Sequence, residues 1–136
     1  MLDGVAASGE RLADGDVLVL AQKIVSKAEG RTVRLSDVVA SPRAIDLGAQ
    51  CDKDPRLVEL ILSEAAEVLR VRPGVIVVVH RLGFVLANAG IDRSNVGPVA
   101  DDPSADDRVL LLPKDPDGSA QALGEALKRR PERRSR

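Results

Sequence analysis

The run Val75-Ile-Val-Val-Val79 constrains the fold more than any other stretch of the chain. Its residues are all β-branched, a type that loses rotamer freedom in a helix and packs well on a pleated surface, so it reads as a strand. Pro73-Gly74 in front of it breaks any preceding helix. Behind it, His80-Arg-Leu-Gly83 reads as a tight connection into a second, antiparallel strand, Phe84-Val-Leu-Ala87. This hairpin delivers a polar loop, Asn88-Ala-Gly-Ile-Asp-Arg-Ser-Asn95, which a rigid sheet can hold still. Within it Asp92 and Asn95 can face one ligand, the carboxylate on a cation and the amide on a polar group. The same residues also make an Asx turn or a helix N-cap, and the octapeptide by itself favours that plainer reading.

What can pack around the hairpin follows from composition. The chain has 136 residues, 44% of them hydrophobic, enough for one domain with a sizeable core. Phe84 is the only aromatic, so the core must be aliphatic and platforms for base stacking are lacking, which argues against a single-strand nucleic-acid binder. With 20 basic and 21 acidic residues the net charge is -1, and no global field attracts nucleic acid or an anionic membrane. The single Cys51 forms no internal disulfide and has no Cys or His at metal-site spacing, so zinc is not expected and a reducing compartment is compatible. No apolar run reaches membrane-spanning length and no signal core is visible at the start, so a cytoplasmic location is expected.

Taken in order, residues 1–15 read as a short helical or loop segment interrupted by Gly4, Gly9 and Gly15. Val17-Leu-Val-Leu20 is predicted to be a strand buried on both faces. Thr32 and Arg34 alternate with Val33 and Leu35 as in a short edge strand. Ser41-Pro42 starts a helix that ends by Asp52. Asp54-Pro55 opens the best helix, with Leu57, Val58, Ile61, Leu62, Ala65, Val68 and Leu69 at helical spacing. Val109-Leu-Leu-Leu112 is a further buried strand, and Ser119 can cap a helix over 120–129. There is no internal repeat, no Walker-type lysine loop and no Gly-x-Gly-x-x-Gly fingerprint.

Several polar groups deserve weighing. Gln22, Lys23, Ser26 and Lys27 crowd the exit of the 17–20 strand, a common place for ligands, although spacing alone favours two solvated lysines. Glu59, Glu64 and Glu67 are most simply solvent-facing, with Glu64 and Glu67 close enough to the helix end to approach a site. His80 is the only histidine; with no nucleophile or second histidine beside it, it reads as a strand-end residue rather than a catalytic base. Asp101, Asp102, Asp106 and Asp107 read as a solvated acidic loop rather than a cation site.

Four segments together carry a resemblance. Asp14-Gly-Asp-Val-Leu-Val-Leu-Ala-Gln-Lys-Ile-Val-Ser-Lys-Ala-Glu-Gly30, Glu64-Ala-Ala-Glu-Val-Leu69, Gly83-Phe-Val-Leu-Ala-Asn-Ala-Gly-Ile-Asp-Arg-Ser-Asn95 and Leu111-Leu-Pro-Lys-Asp-Pro-Asp-Gly-Ser119 stand in the order found in the ligases that add L-glutamate to coenzyme F-420 (F420). The match runs to about Leu127. The resemblance implies a GTP-dependent amide ligase that needs Mn2+ or Mg2+ and builds the γ-glutamyl tail of a deazaflavin cofactor. Its small-molecule partners would be the deazaflavin precursor, L-glutamate and GTP, with neither nucleic acid nor membrane. The precursor carboxylate would be activated by the γ-phosphoryl group, and the glutamate amine would then displace phosphate from the acyl phosphate. By position, Asp92 looks like a metal ligand, and Asn95, Lys27, Gln22 and Lys23 look like nucleotide contacts, the last two less firmly because side-chain type varies there within the family. The resemblance assigns no catalytic residue.

Family members also begin with a strand and a Gly-Leu-Pro type loop, and continue into a second half with a Thr-Asp-Thr type motif that supplies further metal ligands. Residues 1–128 are therefore expected to be the amino-terminal part of a γ-glutamyl ligase domain, with 129–136 an Arg-rich disordered tail. Two readings stay open: a ligase part that is catalytic with its second half supplied, or a truncated, inactive fragment acting at most in nucleotide binding or subunit interaction. Either way the fold class expected is α+β, a mixed or antiparallel sheet of aliphatic strands flanked by helices and incomplete relative to the family fold. Uncovered strand edges would favour a homodimer or association with the missing half.

Overall fold

The computed structural model describes residues 13–93 and 107–129. Expectations on residues 1–12, on Asn95, on Asp101, Asp102 and Asp106, and on the tail from Arg130 lie outside them. Among the described residues the order is α1 (Gln22–Ala28), β1 (Thr32–Arg34), α2 (Pro42–Cys51), α3 (Pro55–Glu64), β2 (Ala65–Arg72), β3 (Val75–His80), β4 (Val85–Ala87), β5 (Arg108–Leu110) and α4 (Pro116–Lys128). The expected α+β class is observed. Strands β2, β3 and β4 form one antiparallel sheet in chain order, and β1 pairs with β5 in a second. The aliphatic core lies against α2 and α3 and includes Ala44, Val58, Ile61, Ile76, Val78 and Val109, each fully buried.

The β3–β4 hairpin is where the β-branched run placed it. Along β3 the buried residues Ile76, Val78 and His80 alternate with half-buried ones, the period-two pattern of a strand with one face on the core. Helix α2 starts as expected, with the Ser41 hydroxyl accepting from the Ala44 amide at 3.2 Å and Pro42 in the first turn. At α3 the Asp54 carboxylate caps the Arg56 amide at 2.9 Å, and the Arg56 guanidinium beside it holds its pKa below the usual carboxylate value.

Three expectations are corrected. Helix α3 stops at Glu64, and residues expected to continue it form β2. Two β-bulges account for the misleading pattern: the register shifts between Ala65 and Glu67 and again between Val68 and Arg70, so Ala65, Val68 and Val71 face His80, Val78 and Ile76. Each bulge inserts one residue and stretches the period from two to three, which on paper imitates a helix. The 17–20 run is in no strand; Val17 and Val19 are 85% and 86% exposed, because no strand among the described residues pairs with it. Helix α4 begins at Pro116, capped by the Asp115 carboxylate on the Gly118 amide at 3.0 Å. Ser119 sits inside that helix, its hydroxyl bonded to the Asp115 carbonyl at 2.9 Å and to the Glu29 carboxylate.

Candidate functional site

The loop after β4 is a left-handed turn. Asn88, Ala89 and Gly90 have φ of 51°, 52° and 68°, a region that costs an L-residue with a Cβ roughly 1–2 kcal/mol. Three features hold it. The Asn88 side-chain oxygen accepts from the buried Ile76 amide at 3.1 Å, Ala89 is fully buried, and Gly90 fits where a Cβ would lie 3.0 Å from Leu112 and 3.1 Å from Leu86. The turn delivers Asp92 to β5, where it exchanges backbone hydrogen bonds with Leu110 at 2.9 and 2.8 Å. The carboxylate of Asp92 is thereby fixed at a sheet edge with its backbone already bonded.

Facing it is α1. The polar stretch expected at the exit of a strand is a helix, and the Lys23 ammonium forms an ion pair with the Asp92 carboxylate. Of the site residues named from the sequence, the fold thus brings Lys23 and Asp92 together. Lys27 is exposed one helical turn beyond Lys23, on the same face of α1. Gln22 turns instead to the buried Ser26, its amide donating to the hydroxyl at 2.5 Å. Both lysines are solvent-exposed, as the plainer expectation has it, but Lys23 is also ion-paired.

A cluster that the sequence reading missed lies at the end of α3. Glu64, expected to face solvent, is buried, and one of its oxygens accepts from Arg31 at 2.9 Å and Arg81 at 3.1 Å. The two arginines continue to the chain after β5: Arg31 Nε donates to the Leu112 carbonyl at 2.8 Å and Arg81 to that of Lys114 at 2.8 Å. Glu64 therefore anchors residues 112–114, whose Leu112 side chain packs on the left-handed turn. His80 closes the cluster. Its Nδ1 accepts from the Leu82 amide at 3.1 Å, which puts the proton of the neutral ring on Nε2, buried 3.5 Å from Glu64 and without a hydrogen-bond partner. Burial lowers the His80 pKa, only partly opposed by Glu64. Phe84 stacks parallel to the ring at 5.2 Å. The sequence offered only the place of Glu64 close to the expected helix end, with no means of showing that Arg31 and Arg81 converge on it.

Comparison with known proteins decides the family. Its sequence profile, F420-0:Gamma-glutamyl ligase, matches residues 1–135. The chain belongs to this family. A coenzyme F420:L-glutamate ligase of Methanothermobacter thermautotrophicus is 45% identical over 127 residues, covering 93% of this chain and 47% of the relative. One of the same name from Methanopyrus kandleri is 44% identical over 124 residues, 91% of this chain and 46% of that protein. A third, from Methanocaldococcus jannaschii, is 34% identical over 118 residues, 87% and 44% respectively. The chain spans about half the length of the curated relatives it matches.

The family resemblance calls for a divalent metal, and the donor set answers in part. Asp92 is a hard oxygen donor of the type that Mg2+ and Mn2+ take. Among the described residues, however, no group of three or more His, Cys, Asp or Glu side chains is placed to hold an ion. The described residues by themselves therefore do not make up a metal site, and Asp92 is the hard oxygen donor the resemblance points to. Likewise among the described residues, no helix is long and apolar enough to cross a membrane.

Proposed function

We propose that the chain is one part of a GTP- and divalent-metal-dependent ligase that joins L-glutamate through an amide bond to the deazaflavin precursor of coenzyme F420, and that the Lys23–Asp92 corner is its nucleotide and metal corner. The observation that carries this reading is the pairing itself. A cationic donor from α1 and a carboxylate from the loop after β4, distant in sequence, meet on a braced turn. In the resting chain each neutralises the other. With nucleotide bound, the Lys23 ammonium would exchange Asp92 for phosphate oxygens, and Lys27 would add a second ammonium from the next helical turn. Asp92 would be one of the residues to hold a divalent ion, which would supply positive charge to the phosphoryl oxygens. Asn95 and Gln22 contribute polar contacts around the nucleotide.

Support for the reaction comes from the relatives' names, and for the division of labour from their length. The precursor carboxylate attacks the γ-phosphorus of GTP and GDP leaves. The glutamate amine then attacks the resulting acyl phosphate, phosphate departs, and the amine proton passes to solvent. Because the chain spans about half the length of these relatives, turnover on this reading draws on the other half of the family's polypeptide, and the 136-residue chain by itself acts at most in nucleotide binding. An assay of GTP- and metal-dependent glutamate addition, on the chain alone and with a second-half polypeptide, tests this. Turnover is expected only in the mixture; turnover by the chain alone contradicts the division of labour, and none in either contradicts the ligase assignment.

A further inference from the structure

We propose that Arg31 is the positioning residue of the Lys23–Asp92 corner: its guanidinium, held by Glu64, fixes α1 against the chain after β5 and so sets where the Lys23 ammonium meets the Asp92 carboxylate. The pair cannot set its own geometry, because both side chains reach water and α1 is a seven-residue helix with no side-chain cap at its start. The frame does so instead. Leu110 is the common reference, with Thr32 paired to it on one edge of β5 and Asp92 bridged to it on the other. Asp92 is therefore registered on β5 directly. Lys23 is registered through Arg31, whose amide donates to the carbonyl of Ser26 on α1 at 2.9 Å and whose carbonyl accepts from the Leu111 amide at 3.1 Å.

These backbone bonds join α1 to β5, and the side chain locks the joint. Nε of Arg31 donates to the Leu112 carbonyl at 2.8 Å while Nη2 donates to Glu64 at 2.9 Å, so one planar group ties the end of α1 to two separate segments. Glu64 is itself fixed: its side chain is 9% exposed, and the Arg81 guanidinium shares the same oxygen and reaches the Lys114 carbonyl. The Leu112 side chain in turn packs on Gly90, in the turn that delivers Asp92. A buried ion pair is a poor source of stability, and a fixed register is the use this geometry supports. The inference rests on the assignment of Lys23 and Asp92 to the nucleotide and metal corner, but its first measurement reports their contact without any nucleotide.

The test uses the 136-residue chain. A water-soluble carbodiimide joins a carboxylate to an amine in contact with it, forming an amide with loss of water, and peptide mass spectrometry gives the yield of the Lys23–Asp92 link. The parent is expected to couple readily. Arg31→Met keeps an apolar stem and removes the fork; it is expected to lower the yield about fivefold and to weaken GTP binding in the presence of Mn2+ by a similar factor. Amide exchange along β3 reports the folded fraction: a merely structural role for Arg31 would speed exchange there and leave coupling in the folded chain as it was. Cys51→Ala, which opens a cavity at a buried position of α2, is expected to lower stability and leave coupling and GTP binding at the parental level. If Arg31→Met does not fold, Arg31→Lys carries the test, since it keeps a cation for Glu64 but replaces the fork by a compact head, and a loss of about threefold is expected. The proposal is overturned by no coupling in the parent, by coupling that the Arg31 variant leaves unchanged, by a variant that binds GTP as tightly as the parent does, or by an equal loss in Cys51→Ala. A parent that couples but binds no GTP contradicts the nucleotide corner instead, and coupling alone then decides on Arg31.

Discussion

The ammonium of Lys23 on α1 is ion-paired with the carboxylate of Asp92, which the left-handed turn after β4 delivers to the edge of β5. Their side chains are 47% and 24% exposed, so water screens the pair and its contribution to stability is small, about 0–1 kcal/mol. Lys23→Ala is therefore expected to change the urea midpoint little while weakening GTP binding about tenfold. A variant that unfolds the chain, or one that binds GTP as the parent does, would remove Lys23 from the site.

Asn88 braces the turn in two ways, by accepting from the Ile76 amide and by tolerating positive φ. Asn88→Ala loses both and should cost about 2–3 kcal/mol, since it strands a buried donor and strains the backbone. Asn88→Gly should be milder by about 1 kcal/mol, because glycine adopts the left-handed region freely. Asn88→Asp keeps the acceptor and should stay close to the parent. Urea denaturation of the three variants checks the order; equal costs for alanine and glycine would show that backbone strain is not at work.

Glu64 is the shared acceptor of Arg31 and Arg81. Glu64→Ala leaves both guanidinium groups without it and is expected to destabilise the chain by about 2–4 kcal/mol, tempered by rehydration of the arginines. It should also speed amide exchange at Leu112, whose carbonyl Arg31 holds. A loss under about 1 kcal/mol in urea melts would mean that the cluster is not a structural anchor.

Burial lowers the His80 pKa from its ordinary value of 6.5. The unfolded state thus binds the proton more readily, and stability rises with pH across the window between the lowered value and 6.5. It is complete above that window and declines as pH falls through it. His80→Asn, which keeps an acceptor for the Leu82 amide, is expected to abolish this slope. Urea midpoints measured at about pH 5.5, 6.5 and 8 would show the difference between parent and variant; parallel curves would contradict the assignment of the slope to His80.

Legibility varied with how local the determining interaction was. The β3–β4 hairpin, α2 and the start of α3 were readable because β-branched runs and Ser-Pro or Asp-Pro caps act over a few residues. The end of α3 was not, because bulged β2 repeats Ala65, Val68 and Val71 at a spacing that belongs to helices, and only pairing with β3 reveals its origin. The 17–20 run misled in the opposite sense: its composition describes a buried strand, whereas no strand among the described residues pairs with it and Val17 and Val19 are exposed. At the site, family resemblance singled out Lys23 and Asp92, but their meeting depends on α1 packing near β5, which no local pattern encodes. The Glu64 anchor depends in the same way on Arg31 and Arg81 arriving from other elements.

The central claim is that Asp92 and Lys23 form the metal and nucleotide corner. Calorimetric titration of GTP into the chain, with and without Mn2+, tests it most directly when run on the parent, on Asp92→Ala and on Asp107→Ala, a control whose carboxylate is occupied by the Ser36 amide at 2.8 Å. The account predicts GTP binding that Mn2+ strengthens in the parent and in Asp107→Ala, and loss of the Mn2+-dependent part in Asp92→Ala. Mn2+-dependent binding unchanged by Asp92→Ala, or absent from the parent, would contradict it.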